Sequence, residues 1–379
     1  MIIVLSRKIF NSDCLSLPNT NLFRNGLTRE SHFIILKLSN RLRKIQTVSR
    51  DDMTTENLTI DDIAKELGVS KTTVSRSISG KGRISDKTRR RVLEFIEQNN
   101  YKPNLIARGL AQSRTYNIGW VVPGDSEVGS LYFYQRCMQG VIDAAAEADY
   151  DVLITTVYGH NIGGLMRVLD NHKVDGVILG QTLTEDPAIR ALKKSDIPFV
   201  AIGSTEEENV VQVDNDHVTA CRELSSILKL KGIHSAALIG GTEDKVVTQS
   251  RRRGFEEGME GVQQYFYMNC RKNEEIEHAV EDVLRRKLDC IVCEDDRVCY
   301  VTLGKLKKEG VQIPAQLRVA SFYNSSLIED NQPAITSLGY EPKLLGITAC
   351  RTLLAMIDGQ TPQEKQMLGY EVMLRASTL

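Results

Sequence analysis

No stretch of this 379-residue chain approaches the ~20 consecutive apolar residues that a membrane-spanning helix needs, so no membrane partner is expected. The opening Met1-Ile-Ile-Val-Leu5 is too short for the apolar core of a secretion signal, and no small-residue cleavage site follows it. Of the eight cysteines, Cys290-Ile-Val-Cys293 has the spacing of half a zinc site. It lacks a second pair at suitable spacing and a histidine close behind it. The pattern Leu-Asp-Cys-Ile-Val-Cys instead reads as a buried strand, in which thiols behave as small apolar groups. Scattered thiols and the missing secretion signal favour a reducing cytoplasm. Gly240-Gly241 follows a strand-like run but lacks the third glycine and the acidic partner of a dinucleotide-binding turn. Neither a metal nor a cofactor is therefore expected. Nor is there an overall excess of charge, with a formal net of −1.

That balance hides an asymmetry. Residues 1–52 carry net +5 and residues 53–112 net +4, which leaves −10 on the remainder. A basic front on an acidic body suits a nucleic-acid-binding head and a body that avoids nucleic acid. The length calls for two or three domains.

The basic region contains a helix-turn-helix pattern. Ile60, Ile63, Ala64 and Leu67 make one apolar stripe at helical spacing. Asp61 and Asp62 stand in the first turn, where the helix dipole favours negative charge. Gly68 is placed to end the helix in a left-handed conformation. Ser70 is placed to cap a second helix, with Val74 and Ile78 inward and Lys71, Thr72, Ser75 and Arg76 outward. The alternative is a helical hairpin with solvated charges. A basic run from Lys81 to Arg91 leads into a third amphipathic helix, Val92, Leu93, Phe95 and Ile96. Asn99 to Pro103 stops it, since the residue before proline is pushed out of helical geometry. Residues 104–114 have the composition of one more short helix, or of a linker.

Several separated motifs then occur in one order: Ile-Asp-Asp-Ile-Ala-Lys-Glu-Leu-Gly-Val-Ser, Thr-Thr-Val-Ser-Arg, Gly-Lys-Gly-Arg-Ile-Ser and Tyr-Lys-Pro-Asn-Leu-Ile-Ala-Arg-Gly-Leu. In this the chain closely resembles the lactose/galactose repressor family, and the similarity continues to near the end. By position, the resemblance implies that Lys71, Thr72, Thr73, Ser75 and Arg76 face bases and phosphates, with Arg83 beside them. Arg76 suits a bidentate contact to a guanine edge. Lys71 suits either base reading or a phosphate contact. The resemblance further implies that residues 104–114 are a hinge helix that forms on the operator, with Asn104 and Arg108 at the DNA. Leu110 would enter the minor groove, where such wedges unstack and kink the duplex.

The body alternates strand-like and helical runs. Strands are expected at Tyr116–Pro123, Asp151–Val157, Gly176–Gly180, Pro198–Gly203, Ala236–Gly241, Cys290–Cys293 and Arg318–Phe322. Helices are expected between them, the first over Val141–Ala148. This order argues for parallel sheets wrapped by helices. Two such lobes make a cleft, with ligands beyond the carboxyl ends of the strands. Val174-Asp-Gly-Val-Ile, Val213-Asp-Asn, Arg251-Arg-Arg-Gly-Phe, Glu294-Asp-Asp and Ile335-Thr-Ser-Leu extend the family resemblance.

The expected architecture is therefore a three-helix helix-turn-helix domain and hinge helix, followed by a two-lobed α/β effector domain of the type I periplasmic-binding-protein kind. Residues 1–52 form an atypical extension, with Met53 a natural start. Residues 53–103 form the DNA-binding domain, 104–114 the hinge and 115–379 the effector and dimerisation domain. Lobe 1 takes about 115–214 and 340–360, and lobe 2 about 215–339 and 361–379. The resemblance places Arg251 on sugar hydroxyls or a carboxylate. It places Asp295 where many members have Asn, with Asp296 as a possible cap of the next helix. Tyr323 stands where an aspartate is usual and brings a stacking face and a hydroxyl. Phe133 and Tyr134 are expected at the cleft mouth, with Asp125 or Ser126 adding a polar contact.

The function these features imply is a cytoplasmic, nucleoid-associated regulator. It would bind a pseudo-palindromic operator as a homodimer, a tetramer being the alternative, and repress carbohydrate-utilisation genes under a sugar-like effector. A corepressor-dependent regulator of another pathway is the second reading, and a solute-binding protein without DNA function the third. An enzyme is not expected, because Asp295 and Asp296 are adjacent and no opposed carboxylate is available for glycoside hydrolysis.

Overall fold

The computed structural model describes residues 58–79, 82–99, 101, 114–124 and 128–379. The expectations for residues 1–52, Asn104, Arg108, Leu110, Asp125 and Ser126 lie outside the described residues. The chain divides into two units, residues 1–103 and 104–379.

The described part of the first unit is three helices: α1 (Ile60–Glu66), α2 (Lys71–Ser79) and α3 (Asp86–Gln98). Each start is fixed locally. Thr59 and Asp62 form a reciprocal capping box on α1, which satisfies two orphan N–H groups at once. Gly68 has φ +64°, the left-handed turn at which glycine carries no steric cost. Ser70 Oγ accepts from Thr73 N at 3.1 Å and so caps α2. Ser85 does the same for α3 through Thr88 N at 3.2 Å. Ile63, Ala64, Leu67, Val74 and Val92 form the buried centre, with Phe95, Ile96 and Tyr101 against it.

The second unit holds two parallel-based sheets. Along the chain lie β1 (Asn117–Pro123), α4 (Val128–Ala146), β2 (Asp151–Val157), α5 (Gly163–Asp170), β3 (Gly176–Leu179), α6 (Pro187–Lys194), β4 (Phe199–Ile202) and β5 (Val211–Asn215). Then follow α7 (His217–Leu230), β6 (Ser235–Ile239), α8 (Val246–Gly258), β7 (Gln263–Tyr267), α9 (Asn273–Arg286), β8 (Cys290–Cys293), α10 (Asp296–Lys308), β9 (Arg318–Ser321), α11 (Ser326–Glu329) and β10 (Thr336–Gly339). The chain ends with α12 (Pro342–Ile357), β11 (Lys365–Leu368) and β12 (Glu371–Met373). The first sheet runs β11-β5-β4-β3-β1-β2 and the second β12-β10-β9-β8-β6-β7. Only β12, on β10, is antiparallel among the described strands.

Two expectations change, and one reading of the cysteines is sharpened. The lobe boundary placed at residue 361 is wrong, because Lys365–Leu368 pairs in parallel with β5 of the first sheet. The last crossing therefore lies between β11 and β12. The helix expected over Val141–Ala148 is α4, and it begins at Val128. Its inward stripe continues back through Cys137 and Phe133 to join Val141, Ala144 and Ala145. Aromatic and thiol side chains there obscure the aliphatic period. Finally, Cys290 and Cys293 lie on opposite faces of β8, in two different core clusters. Strand alternation sends residues three apart to opposite sides, so the two thiols do not converge.

Candidate functional site

On the first unit, α2 has a buried face and an exposed one. Val74 is fully buried and Ser77 nearly so, while Lys71, Thr72, Ser75 and Arg76 are exposed. Positions i, i+1, i+4 and i+5 share one side of a helix, so these four side chains form a single polar, basic face. Thr73 is drawn away from it: its hydroxyl lies 2.9 Å from Ser70 Oγ at the cap. Lys71 Nζ meets Asp61 Oδ1 at 2.5 Å, the lysine side chain being largely exposed and the aspartate about half exposed. Such a surface pair is worth ~0–1 kcal/mol, so a phosphate competes with it readily. Gly82, at φ +89°, lies beside the stem of Arg76: a Cβ there would come within 3.1 Å of Arg76 Cδ. Arg83 is exposed.

In the second unit, side chains from both lobes meet beyond the strand ends. Phe133 of α4 packs edge-on against Tyr323, which follows β9, with ring centroids 6.0 Å apart. Tyr323 in turn stacks on Tyr340 at 6.2 Å. The Tyr134 hydroxyl donates to Gln181 Oε1 at 3.0 Å. Arg251, on α8, is only 9% exposed. This excludes the solvated helix-face arginine that its neighbours Arg252 and Arg253 suggest. Its Nη1 donates to the Glu294 carbonyl at 3.0 Å, and its Nε is buried without a hydrogen-bond partner. A buried donor of this kind costs stability unless a ligand or water satisfies it.

Glu294 is the residue that sequence reasoning valued least for its place. It is 3% exposed and accepts from the Thr248 hydroxyl at 2.5 Å and from the Gly241 N–H. A Cβ on Gly240 would come within 2.7 Å of its Oε2. The paired glycines after β6 thus admit a carboxylate of the protein itself. Burial raises the Glu294 carboxyl above the usual range, and Arg251 moderates the rise.

Asp295, not Asp296, caps α10: its Oδ1 accepts from Val298 N at 2.8 Å. Asp296 is 2% exposed, takes a hydrogen bond from the Ser325 hydroxyl and accepts from Arg297 N at 3.0 Å. Burial, then the neighbouring Asp295, push its carboxyl up to about 6. A carboxyl that holds its proton more tightly folded than unfolded loses stabilising effect as pH rises. Relative to Asp296→Asn, the wild-type chain is therefore expected to lose stability from about pH 4 to about pH 6 and to level off above. Urea melts of both proteins across that window measure it, and a constant gap would contradict the assignment.

Two further contacts tie the lobes together. His217, where the chain enters lobe 2, has Nε2 3.4 Å from Asp214 Oδ1 and Nδ1 3.3 Å from the Tyr340 hydroxyl. Burial raises the Asp214 carboxyl, but His217, Ser204 and the Asn215 N–H outweigh it and leave it lowered. The loops after β3 and β6 also form a backbone clasp. Thr184 N donates to the Asp244 carbonyl at 2.9 Å and Val246 N to the Thr182 carbonyl at 3.3 Å. Gln181, His217 and Tyr340 carried no motif signal, since only the fold brings them to the cleft.

Comparison with known proteins agrees with both halves. Residues 59–104 match the family model "Bacterial regulatory proteins, lacI family". Residues 115–368 match "Periplasmic binding proteins and sugar binding domain of LacI family". Catabolite control protein A of Staphylococcus aureus (strain Mu50 / ATCC 700699) is 28% identical over 331 residues, covering 85% of this chain and 99% of that one. The HTH-type transcriptional regulator MalR of Streptococcus pneumoniae serotype 4 is 34% identical over 207 residues, 53% of this chain and 62% of its own. Among solved structures, the transcriptional regulator CelR–cellobiose complex superposes with TM-score 0.63 at 26% identity, over 84% of this chain and 99% of that one. The lac repressor dimer bound to operator and the anti-inducer ONPF gives TM-score 0.70 at 19% identity, over 86% and 100%, which supports the fold.

Proposed function

Because this chain belongs to the LacI family of bacterial regulatory proteins, we propose that it is a sugar-responsive repressor acting as a homodimer on a pseudo-palindromic operator. A dimer places two heads on half-sites related by the same twofold axis. The observation that carries the reading is the exposed face of α2, with Lys71, Thr72, Ser75 and Arg76 side by side over buried Val74. Asn104, Arg108 and Leu110 extend the proposed DNA contact through the hinge, and Arg83 adds a phosphate contact. A repressor of this kind works in the cytoplasm on the nucleoid and controls genes of carbohydrate use.

The effector site in this reading is the cleft where Phe133, Tyr134, Arg251, Asp295 and Tyr323 converge. Its aromatic walls suit the apolar faces of a sugar ring, and the buried Arg251 Nε suits a hydroxyl or ring oxygen. Asp125 and Ser126 are proposed to line the same mouth. Relatives support a sugar: one solved neighbour is a complex with cellobiose. Effector binding would shift lobe placement and change operator affinity through a coupling of typically ~1–3 kcal/mol.

A thermal-shift screen of neutral mono- and disaccharides tests the site. At least one sugar is expected to raise the melting temperature of the wild-type chain and to leave folded Arg251→Ala unmoved. A sugar that stabilises both equally would place the pocket elsewhere.

A further inference from the structure

The floor of the cleft carries an unusual distribution of charge. α10 begins there, and the N-terminus of a helix is an ordinary seat for a phosphate or sulfate. In this chain the seat is filled from within. Asp295 Oδ1 takes the Val298 N–H at 2.8 Å and Asp296 Oδ1 takes the Arg297 N–H at 3.0 Å. The second oxygen of Asp296 takes the Ser325 hydroxyl. Glu294 lies next to them in sequence, buried beneath Gly241 and Thr248.

Arg251 is the cation that acts on Glu294, on Asp296 and on Tyr323. It is nine-tenths buried and has spent Nη1 on the Glu294 carbonyl. Its Nε is a buried donor with no hydrogen-bond partner. That buried N–H suits a hydroxyl or ring oxygen. A phosphate at this place would bring its charge beside the Asp295 and Asp296 carboxylates, which already hold the first N–H groups of α10. Across the cleft, the groups that meet Tyr323 and close on Gln181 are the neutral rings Phe133 and Tyr134.

We propose that this pocket selects its effector by charge: it takes neutral, hydroxyl-rich ligands and rejects their phosphate esters, with Asp295 and Asp296 enforcing the rejection. The proposal rests on the cleft being the effector site. It assigns the two aspartates a discriminating role beyond capping. Neutralising either one would remove a like charge from beside an incoming anion and leave Arg251 as the nearby cation.

Inorganic phosphate is the probe, because it tests the seat whatever the sugar. It is titrated into the full chain at low ionic strength and followed by phosphorus NMR line width. The basic head attracts phosphate too, so the signal that counts is the part removed by Arg251→Ala in the same background. The wild-type chain is expected to show no such part. Asp295→Asn and Asp296→Asn are each expected to gain it, with affinity at least about tenfold above wild type, the effect of removing one nearby like charge. Asparagine caps a helix about as well as aspartate, and circular dichroism checks that each variant is folded. Arg251-dependent phosphate uptake by the wild type overturns the proposal. So does a folded pair of variants that gains none. The neutral-sugar screen on the same samples reports separately on the effector site: silence there sinks that reading, while the phosphate result still decides the charge selection.

Discussion

Gly346→Ala is expected to destabilise the effector body by about 2–4 kcal/mol, although it adds a single methyl group. α4 and α12 cross with their backbones in contact, each contributing a glycine. A Cβ on Gly346 would lie 2.0 Å from the Cys137 carbonyl oxygen, and one on Gly140 would lie 2.0 Å from the Lys343 carbonyl oxygen. Backbone cannot rotate out of the way as a side chain can, so the helices must move apart. Their separation would open the core they share, in which Cys137, Val141 and Ala145 meet Leu345, Ala349 and Leu353. For a body of this size each kcal/mol moves the melting temperature by ~2–4 °C. The single tryptophan, Trp120, is buried in the same core and reports the transition. Gly304→Ala is the control: nothing lies within 4 Å of where its Cβ would stand, and alanine there is expected to stabilise α10 by ~0.5–1 kcal/mol. Melting of Gly346→Ala at the wild-type temperature would refute the crossing.

Arg76→Ala is expected to remove most sequence preference while sparing nonspecific DNA binding. A bidentate arginine–guanine contact contributes ~1–3 kcal/mol of discrimination, roughly a five- to 150-fold preference. Arg76 is exposed on the face of α2 that also carries Lys71, Thr72 and Ser75, and its stem runs past Gly82, where a larger residue would crowd it. Lys71→Ala is the contrasting variant. Its ammonium is held by Asp61 across an exposed 2.5 Å pair and suits a phosphate. Its loss should weaken all sequences alike and lower the salt slope by ~1. Gel-shift competition between operator and random duplex, at several salt concentrations, separates the two. Unchanged preference in Arg76→Ala would mean that α2 does not read bases.

The helix-turn-helix was legible because its signals are local. Thr59 with Asp62, Gly68, and Ser70 with Thr73 each act within four residues of where they stand. The central strands were legible as short apolar runs. The strands that escaped notice are polar or peripheral. β5 reads Val-Gln-Val-Asp-Asn, yet Gln212 and Asn215 are buried, with Gln212 accepting from Thr205 N. β10 begins Thr336-Ser337, both buried and bonded to groups near the chain's end or to Asn324. β11 is a half-exposed edge whose partner, β5, lies some 150 residues earlier. No local pattern announces a pairing of that range. The cleft followed the same division. Position in the family pointed to Arg251 and Tyr323. Glu294, Gln181, His217 and Tyr340 gain their roles only from contacts that cross the fold.

The central claim is that one chain joins a DNA-reading head to a sugar-sensing body, so that each site alters the other. The most direct measurement titrates the full chain onto duplexes from the region upstream of its own gene, with and without a sugar that stabilises it. Tight, salt-dependent binding to one palindromic segment, two chains per site, with an affinity shifted about 5–150-fold by the sugar, is the predicted result. Binding that is absent at low ionic strength, or identical with and without the sugar, would contradict it.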